Sequence, residues 1–183
     1  MTSSILPVLI SRHPQVEGAS GLCYGRREMT LGAGWEAGAA GLMTLARGIG
    51  CAVIHTSPSS RCRIVAKMLE DWSGLPVCSD DRLRELDFGQ WEGRAWEDVP
   101  RAALEDWAAD PEGFYPPEGE SGRKLQERIQ SFWKDLLRAG QPALILSHGG
   151  PLRLLDGLAR GMKPNLMAPS MPQGSSRLFY VSV

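Results

Sequence analysis

The chain is expected to fold as an α/β protein with a mostly parallel central sheet covered by helices on both sides. Three observations carry this. Short apolar runs of strand length alternate along the chain with longer stretches of helical spacing, the order that builds a parallel sheet by helical crossovers. Two of the runs, ILPVLI at 5–10 and ALILS at 143–147, are continuous rather than alternating, as strands buried on both faces are. Each of those runs leads into a histidine, Arg12-His13 in one case and His148 in the other, in a chain with three histidines. The carboxyl ends of strands are where open α/β sheets bind ligands.

Taken in order, ILPVLI forms the first strand. From Gly34 to Gly48, Trp35, Leu42, Leu45 and Ala46 recur at amphipathic helical spacing. Cys51 to Thr56 is a second buried strand. Ser59 or Ser60 caps a helix that runs to Trp72, with Ile64, Val65, Met68 and Leu69 on its inner face. A short strand follows around Pro76 to Cys78. Trp96 to Ala109 is helical. Ser121 to Ala139 is the clearest helix, with Leu125, Ile129, Phe132, Leu136 and Leu137 in step. Ala143 to Ser147 is the next strand, Leu152 to Ala159 the next helix, and Ser176 to Val183 a closing strand with Leu178, Tyr180 and Ser182 on one face. The stretch from Asp110 to Gly122 holds three prolines and three glycines and is expected as a loop against the active site.

At 183 residues and 43% apolar composition, one domain spanning 1–183 is expected, with a variable, lid-like region around 86–121. A net charge of −1 offers no global field for nucleic acid or an anionic membrane. Cys23, Cys51, Cys62 and Cys78 have no metal-ligand spacing and suit reduced thiols of a cytoplasmic protein. ILPVLI is too short, and lacks the basic flank, for a signal peptide, and no run approaches the length of a membrane span. A monomer or homodimer is expected. The cations are 16 arginines against 4 lysines. Arginine's planar fork grips phosphate by two bonds, so the placement of particular arginines matters.

Four segments bear chemistry: SRHPQ at 11–15, TSPSSR at 56–61, LRELDFGQWEG at 83–93 and LSHGGPLR at 146–153. Arg61 falls in the first turn of a helix, against the dipole unless an anion lies between the two. Gly149 and Gly150 let the backbone approach a ligand. Two strand-terminal histidines and two arginines at one sheet edge suit phosphoryl transfer to histidine. A neutral imidazole attacks phosphorus, arginines neutralise the non-bridging oxygens, and a carboxylic acid protonates the leaving alkoxide. Arg12, Arg61 and the two histidines are expected to supply the positive charge, with no metal and no cofactor.

In these motifs the chain resembles the histidine phosphatase superfamily, the phosphoglycerate mutase-like group. RH at Arg12-His13, SP..R at Ser57 to Arg61, L.ELDFG.WEG at Leu83 to Gly93 and SHGG..R at Ser147 to Arg153 occur in that family's order. The resemblance implies a three-layer α/β/α sandwich and a phosphomonoesterase with His13 as nucleophile, Glu85 as proton donor and His148 beside them. It places Arg12, Arg61 and His148 around the phosphate, with Gly149 in the same loop. GLCYGRREMTL at 21–31, SRC at 60–62, LDFGQWEGRAWEDVP at 86–100 and DPEGFYPPEGES at 110–121 are similar to the α-ribazole phosphatase branch. That implies removal of the 5′-phosphate of α-ribazole phosphate, or of adenosylcobalamin phosphate, in cobalamin biosynthesis.

Tyr24, Arg26, Glu120 and Ser121 are possible substrate contacts. Trp91, Trp96 and Trp107 are either core or a wall for a flat leaving group. Arg153 is expected in an internal ion pair and His55 in a structural role. One departure stands out: Pro14 occupies the place of the family's usual glycine and removes a backbone donor. The competing readings are a broad-specificity sugar-phosphate phosphatase, a mutase-like enzyme, and a non-catalytic phosphate-binding regulatory module signalled by Pro14.

Overall fold

A computed structural model describes residues 4–183. Five strands form one sheet: β1 (Ile5–Arg12), β2 (Val53–Thr56), β3 (Val77–Ser79), β4 (Ala143–Ser147) and β5 (Ser176–Ser182). Their order across the sheet is β3-β2-β4-β1-β5. The first four run parallel, and β5 joins β1 antiparallel at the edge. The described residues also form five α-helices: α1 (Trp35–Gly48), α2 (Ser60–Ser73), α3 (Arg101–Ala109), α4 (Gly122–Ala139) and α5 (Gly149–Ala159), of which all but α3 cover the sheet.

Side chains alternate across a strand, and here each face meets its own pair of helices. Val8 and Ile10 of β1 and Ala143 and Ile145 of β4 pack with Leu125, Ile129, Phe132, Leu152 and Leu155 from α4 and α5. Leu9, Ile54, Leu144 and Leu146 pack with Leu42, Ala46, Val65 and Leu69 from α1 and α2. The result is the three-layer α/β/α sandwich, with β4 buried on both sides along its whole length. A third cluster of Cys23, Trp91 and Val99, with Phe88, Trp96 and Trp107 against it, lies apart from the sheet.

The elements differ from expectation in several places. Pro100 divides the helix expected over 96–109 into a 3₁₀ turn (Trp96–Asp98) and α3, because proline starts a helix but cannot sit inside one. In α2 the buried positions are Arg61, Cys62, Val65, Ala66 and Leu69, while Ile64 is exposed. Leu45 of α1 is likewise exposed. On β5, Leu178 and Tyr180 share one face as expected; that face is exposed, and Phe179 and Val181 pack on the core. All four cysteines are free, and all but Cys78 are buried. Among the described residues no helix is long and apolar enough to cross a membrane.

Candidate active site

The register of the sheet brings the motifs together. Arg12 pairs with Ser147 across the β1–β4 ladder, so the residues that follow, His13 and His148, leave adjacent strands at the same level. His13 N–H donates to Ser147 O at 3.1 Å and Ser57 N–H to Leu146 O at 2.9 Å, which brings the exit of β2 to the same edge. The two imidazole centroids are 5.2 Å apart.

His13 is 1% exposed. Its Nδ1 lies 2.7 Å from Pro14 O. A carbonyl only accepts, so Nδ1 carries the proton and Nε2 is left with a free lone pair. Burial, then the nearby Arg61 and Arg12 charges, push its pKa down from 6.5 to about 3, against the opposing pull of the Pro14 carbonyl. The departure at Pro14 therefore leaves the one backbone group that orients the ring, since proline loses its N–H and keeps its C=O.

His148 is fixed with equal definition. Arg61 Nε–H donates to Nδ1 at 3.2 Å, and guanidinium is donor-only, so the proton sits on Nε2 and is given to Ser57 Oγ at 2.7 Å. Burial, then Arg61 and His13, hold the His148 pKa well below its ordinary value. Both histidines are neutral, which corrects the expectation that they add positive charge. The site's positive charge belongs to arginines.

Arg61 is wholly buried in the first turn of α2. Its Nη atoms donate to Arg27 O at 2.7 Å and Gly25 O at 2.6 Å, and the guanidinium lies 5.2 Å from the Tyr24 ring centroid. Three of its five N–H groups are thereby engaged. Arg12 Nη1 donates to Met171 O at 2.6 Å and Ser170 Oγ at 3.1 Å, while its Nε is buried without a partner. Such an orphan donor costs about 1–3 kcal/mol. Gly149 lies flat against the same guanidinium: a Cβ there would stand 2.7 Å from Ser170 Oγ and 3.4 Å from Arg12 Cζ.

Glu85 lies at the start of α5. Its Oε1 accepts from Leu86 N–H at 2.9 Å and Gly150 N–H at 3.0 Å. A Cβ on Gly150 would collide with that oxygen, so the carboxyl group's place exists because residue 150 is glycine. The strap carrying Glu85 is clamped by two arginines. Arg26 Nε and Arg128 Nη2 each donate to Glu85 O at 3.0 Å, and Arg128 also holds Arg82 O and Arg84 O.

A cleft of about 390 Å³ opens on Arg12, Glu85, Gly149 and Gly150. Tyr24, Leu86, Phe88, Trp96 and Trp107 line its other side. Trp96 and Trp107 are stacked within 4° of parallel, and Phe88 meets each edge-on at 5.3 and 5.6 Å. Trp91 is instead 2% exposed, in the core. Of the possible substrate contacts, Tyr24 lines the cleft and accepts a hydrogen bond from Gln173 Nε2 at 2.8 Å. Arg26 and Glu120 face each other at 3.0 Å, within a network that includes Asp87 and Arg128. Ser121 Oγ caps α4 by accepting from Lys124 N–H. Arg153 bonds a carbonyl, Leu166 O, in place of the expected carboxylate. His55 packs edge-on against Phe132 of α4, outside the cleft lining.

Arg128, Ser57 and the 166–171 segment were missed by sequence reasoning. Arg128 had one available signal: it is a charged residue flanked by the inward positions Leu125 and Ile129. Ser57 had its place in the SP..R motif.

The arrangement sets two buried neutral imidazoles beside two guanidiniums, one of which, Arg12, lines the cleft together with the Glu85 carboxyl group. Among the described residues no three His, Cys, Asp or Glu side chains cluster as a metal site. The family model of the histidine phosphatase superfamily (branch 1) matches residues 8–177. A probable phosphoglycerate mutase of Yersinia enterocolitica is 33% identical over 168 residues, 88% of this chain and 78% of its own. A putative phosphoserine phosphatase of Hydrogenobacter thermophilus is 31% identical over 114 residues, 60% of this chain. That match spans about half, 56%, of the relative's length. Among solved structures, the α-ribazole phosphatase of Shigella flexneri superposes with a TM-score of 0.83 at 26% identity, over 97% of this chain and 95% of that one.

Proposed function

Because the chain belongs to the histidine phosphatase superfamily (branch 1), we propose that it is a phosphatase that hydrolyses phosphomonoesters through a phosphohistidine at His13 and that its substrate is α-ribazole 5′-phosphate or the corresponding cobalamin phosphate. In the first half-reaction His13 Nε2 attacks phosphorus and the P–O bond to the leaving group breaks. Glu85 gives its proton to the departing oxygen. Arg12 and Arg61 neutralise the non-bridging oxygens with the donors they hold free. The imidazole gains positive charge as the N–P bond forms, and the Nδ1–H bond to Pro14 O stabilises it. In the second half-reaction water attacks phosphorus, its proton passes to Glu85, and the P–N bond breaks to release inorganic phosphate.

One observation carries the substrate: the aromatic wall of Phe88, Trp96 and Trp107 opens on the same cleft as Arg12 and Glu85. A flat heteroaromatic group such as dimethylbenzimidazole matches that wall, as the likeness to an α-ribazole phosphatase supports. A second reading, a carboxylate-bearing ester of the phosphoserine or phosphoglycerate kind, draws on the names of the sequence relatives.

The test is a panel of phosphomonoesters assayed with and without chelator. The highest kcat/KM is expected on α-ribazole 5′-phosphate, unaffected by chelation. A preference for phosphoserine or phosphoglycerate would transfer the enzyme to the second reading.

A further inference from the structure

Two buried side-chain donors among the described residues have no hydrogen-bond partner, Arg12 Nε and Arg153 Nε. Both arginines line the same cleft. Buried polar atoms are paired in nearly all cases, so two orphans at one cleft mark places where an acceptor is received. The phosphoryl group accounts for Arg12. It does not account for Arg153, which lies a helical turn further along α5, beyond Gly149 and Gly150.

Arg153 is half-buried, with its Nε enclosed. Its Nη1 donates to Leu166 O at 3.1 Å, which fixes the fork against the segment that includes Leu166, Met167 and Ser170, all lining the cleft. Burial, opposed by the attraction of Glu85, lowers its pKa. An apolar residue could wall this part of the cleft without that penalty.

We propose that Arg153 is a specificity-determining residue whose Nε–H takes an oxygen of the leaving group, so that the cleft selects phosphomonoesters bearing a hydroxyl or carboxylate oxygen beyond the ester linkage. The inference rests on the phosphatase reading of the cleft but not on the α-ribazole assignment, since ribose hydroxyls and a carboxylate share this chemistry.

The experiment compares wild type with Arg153→Met and Arg153→Lys. Lysine keeps the charge and a donor for Leu166 O but lacks the Nε–H fork. Three esters are used: α-ribazole 5′-phosphate, with hydroxyls; phosphoserine, with a carboxylate; and phenyl phosphate, with neither. The readout is the kcat/KM ratio of each oxygen-bearing ester to phenyl phosphate. For the oxygen-bearing ester that wild type prefers, the ratio should fall by about tenfold or more in both variants, mainly through KM. A fall confined to phosphoserine would sustain this inference while removing the α-ribazole assignment. If the three esters lose activity together, or none does, Arg153 merely anchors the Leu166 segment and the proposal is overturned. Should the Met variant fail to fold, the Lys variant decides.

Discussion

Glu85→Gln separates proton donation from architecture, and the structure sets the size of each effect. Glu85 Oε1 alone accepts from both Leu86 N–H and Gly150 N–H, at 2.9 and 3.0 Å. A glutamine with its carbonyl oxygen in that place keeps both bonds. The new NH₂ takes the position of Oε2, whose 3.3 Å contact with Gly150 N–H is the weaker one. The clamp from Arg26 and Arg128 acts on the Glu85 backbone carbonyl and is untouched. Folding should therefore change by under about 1 kcal/mol, the scale of a single modest hydrogen bond. The chemical loss is larger. General acid catalysis contributes roughly 10²–10⁴-fold, or about 3–5 kcal/mol of barrier. It is needed in full by an alkoxide leaving group and hardly at all by nitrophenolate. The assay is kcat on an alkyl phosphate and on p-nitrophenyl phosphate for wild type and variant. A fall of about 10²-fold or more is expected on the alkyl ester and within about tenfold on the aryl ester. Equal losses on the two would refute the assignment, leaving Glu85 as a spacer and Asp87 as the next carboxylate to test.

His13→Ala should abolish turnover, and acid-labile phosphate should be trapped at that residue in wild type but not in the variant after brief exposure to substrate; substantial activity in the variant would end the phosphohistidine mechanism. The depressed histidine pKa also makes a stability prediction. The unfolded chain takes up a proton on His13 near pH 6.5, while the folded protein does so only near pH 3. Stability is thus complete above pH 6.5 and falls as pH drops toward 3, by about 1.4 kcal/mol per pH unit per histidine, with His148 adding in the same direction. Urea unfolding at pH 7, 6 and 5 measures this, and a flat profile would mean that the histidines are not buried neutral.

Much of the fold was legible because its signals are local. A strand buried on both faces is apolar at every position, so β1 and β4 declared themselves, and α4 showed the apolar repeat of a helix packed on one side. The errors fell where the neighbours decide. Ile64 and Leu45 are apolar yet face outward, and Arg61 is charged yet wholly buried. Periodicity ranks residues by polarity and has no access to the carbonyls of Gly25 and Arg27 that make Arg61's burial tolerable. On β5 the pattern identified two faces without saying which one meets the core.

The site divides in the same way. Its strand-terminal histidines could be found because register, once the sheet is parallel, carries Arg12 opposite Ser147. Their protonation could not, because it is written in backbone atoms and distant partners. Pro14 illustrates this. As a letter it breaks a motif and suggests an impaired site; as a structure it supplies the carbonyl that keeps the proton on Nδ1 and leaves the Nε2 lone pair free. Arg61 does the complementary task at His148, where a donor on Nδ1 sends the proton to the other nitrogen. Both rings are thereby neutral beside two guanidiniums, and burial reinforces the state that the partners select. A nucleophile that must attack a dianion needs this combination: a lone pair on the imidazole, and the positive charge carried by groups that cannot give up their protons.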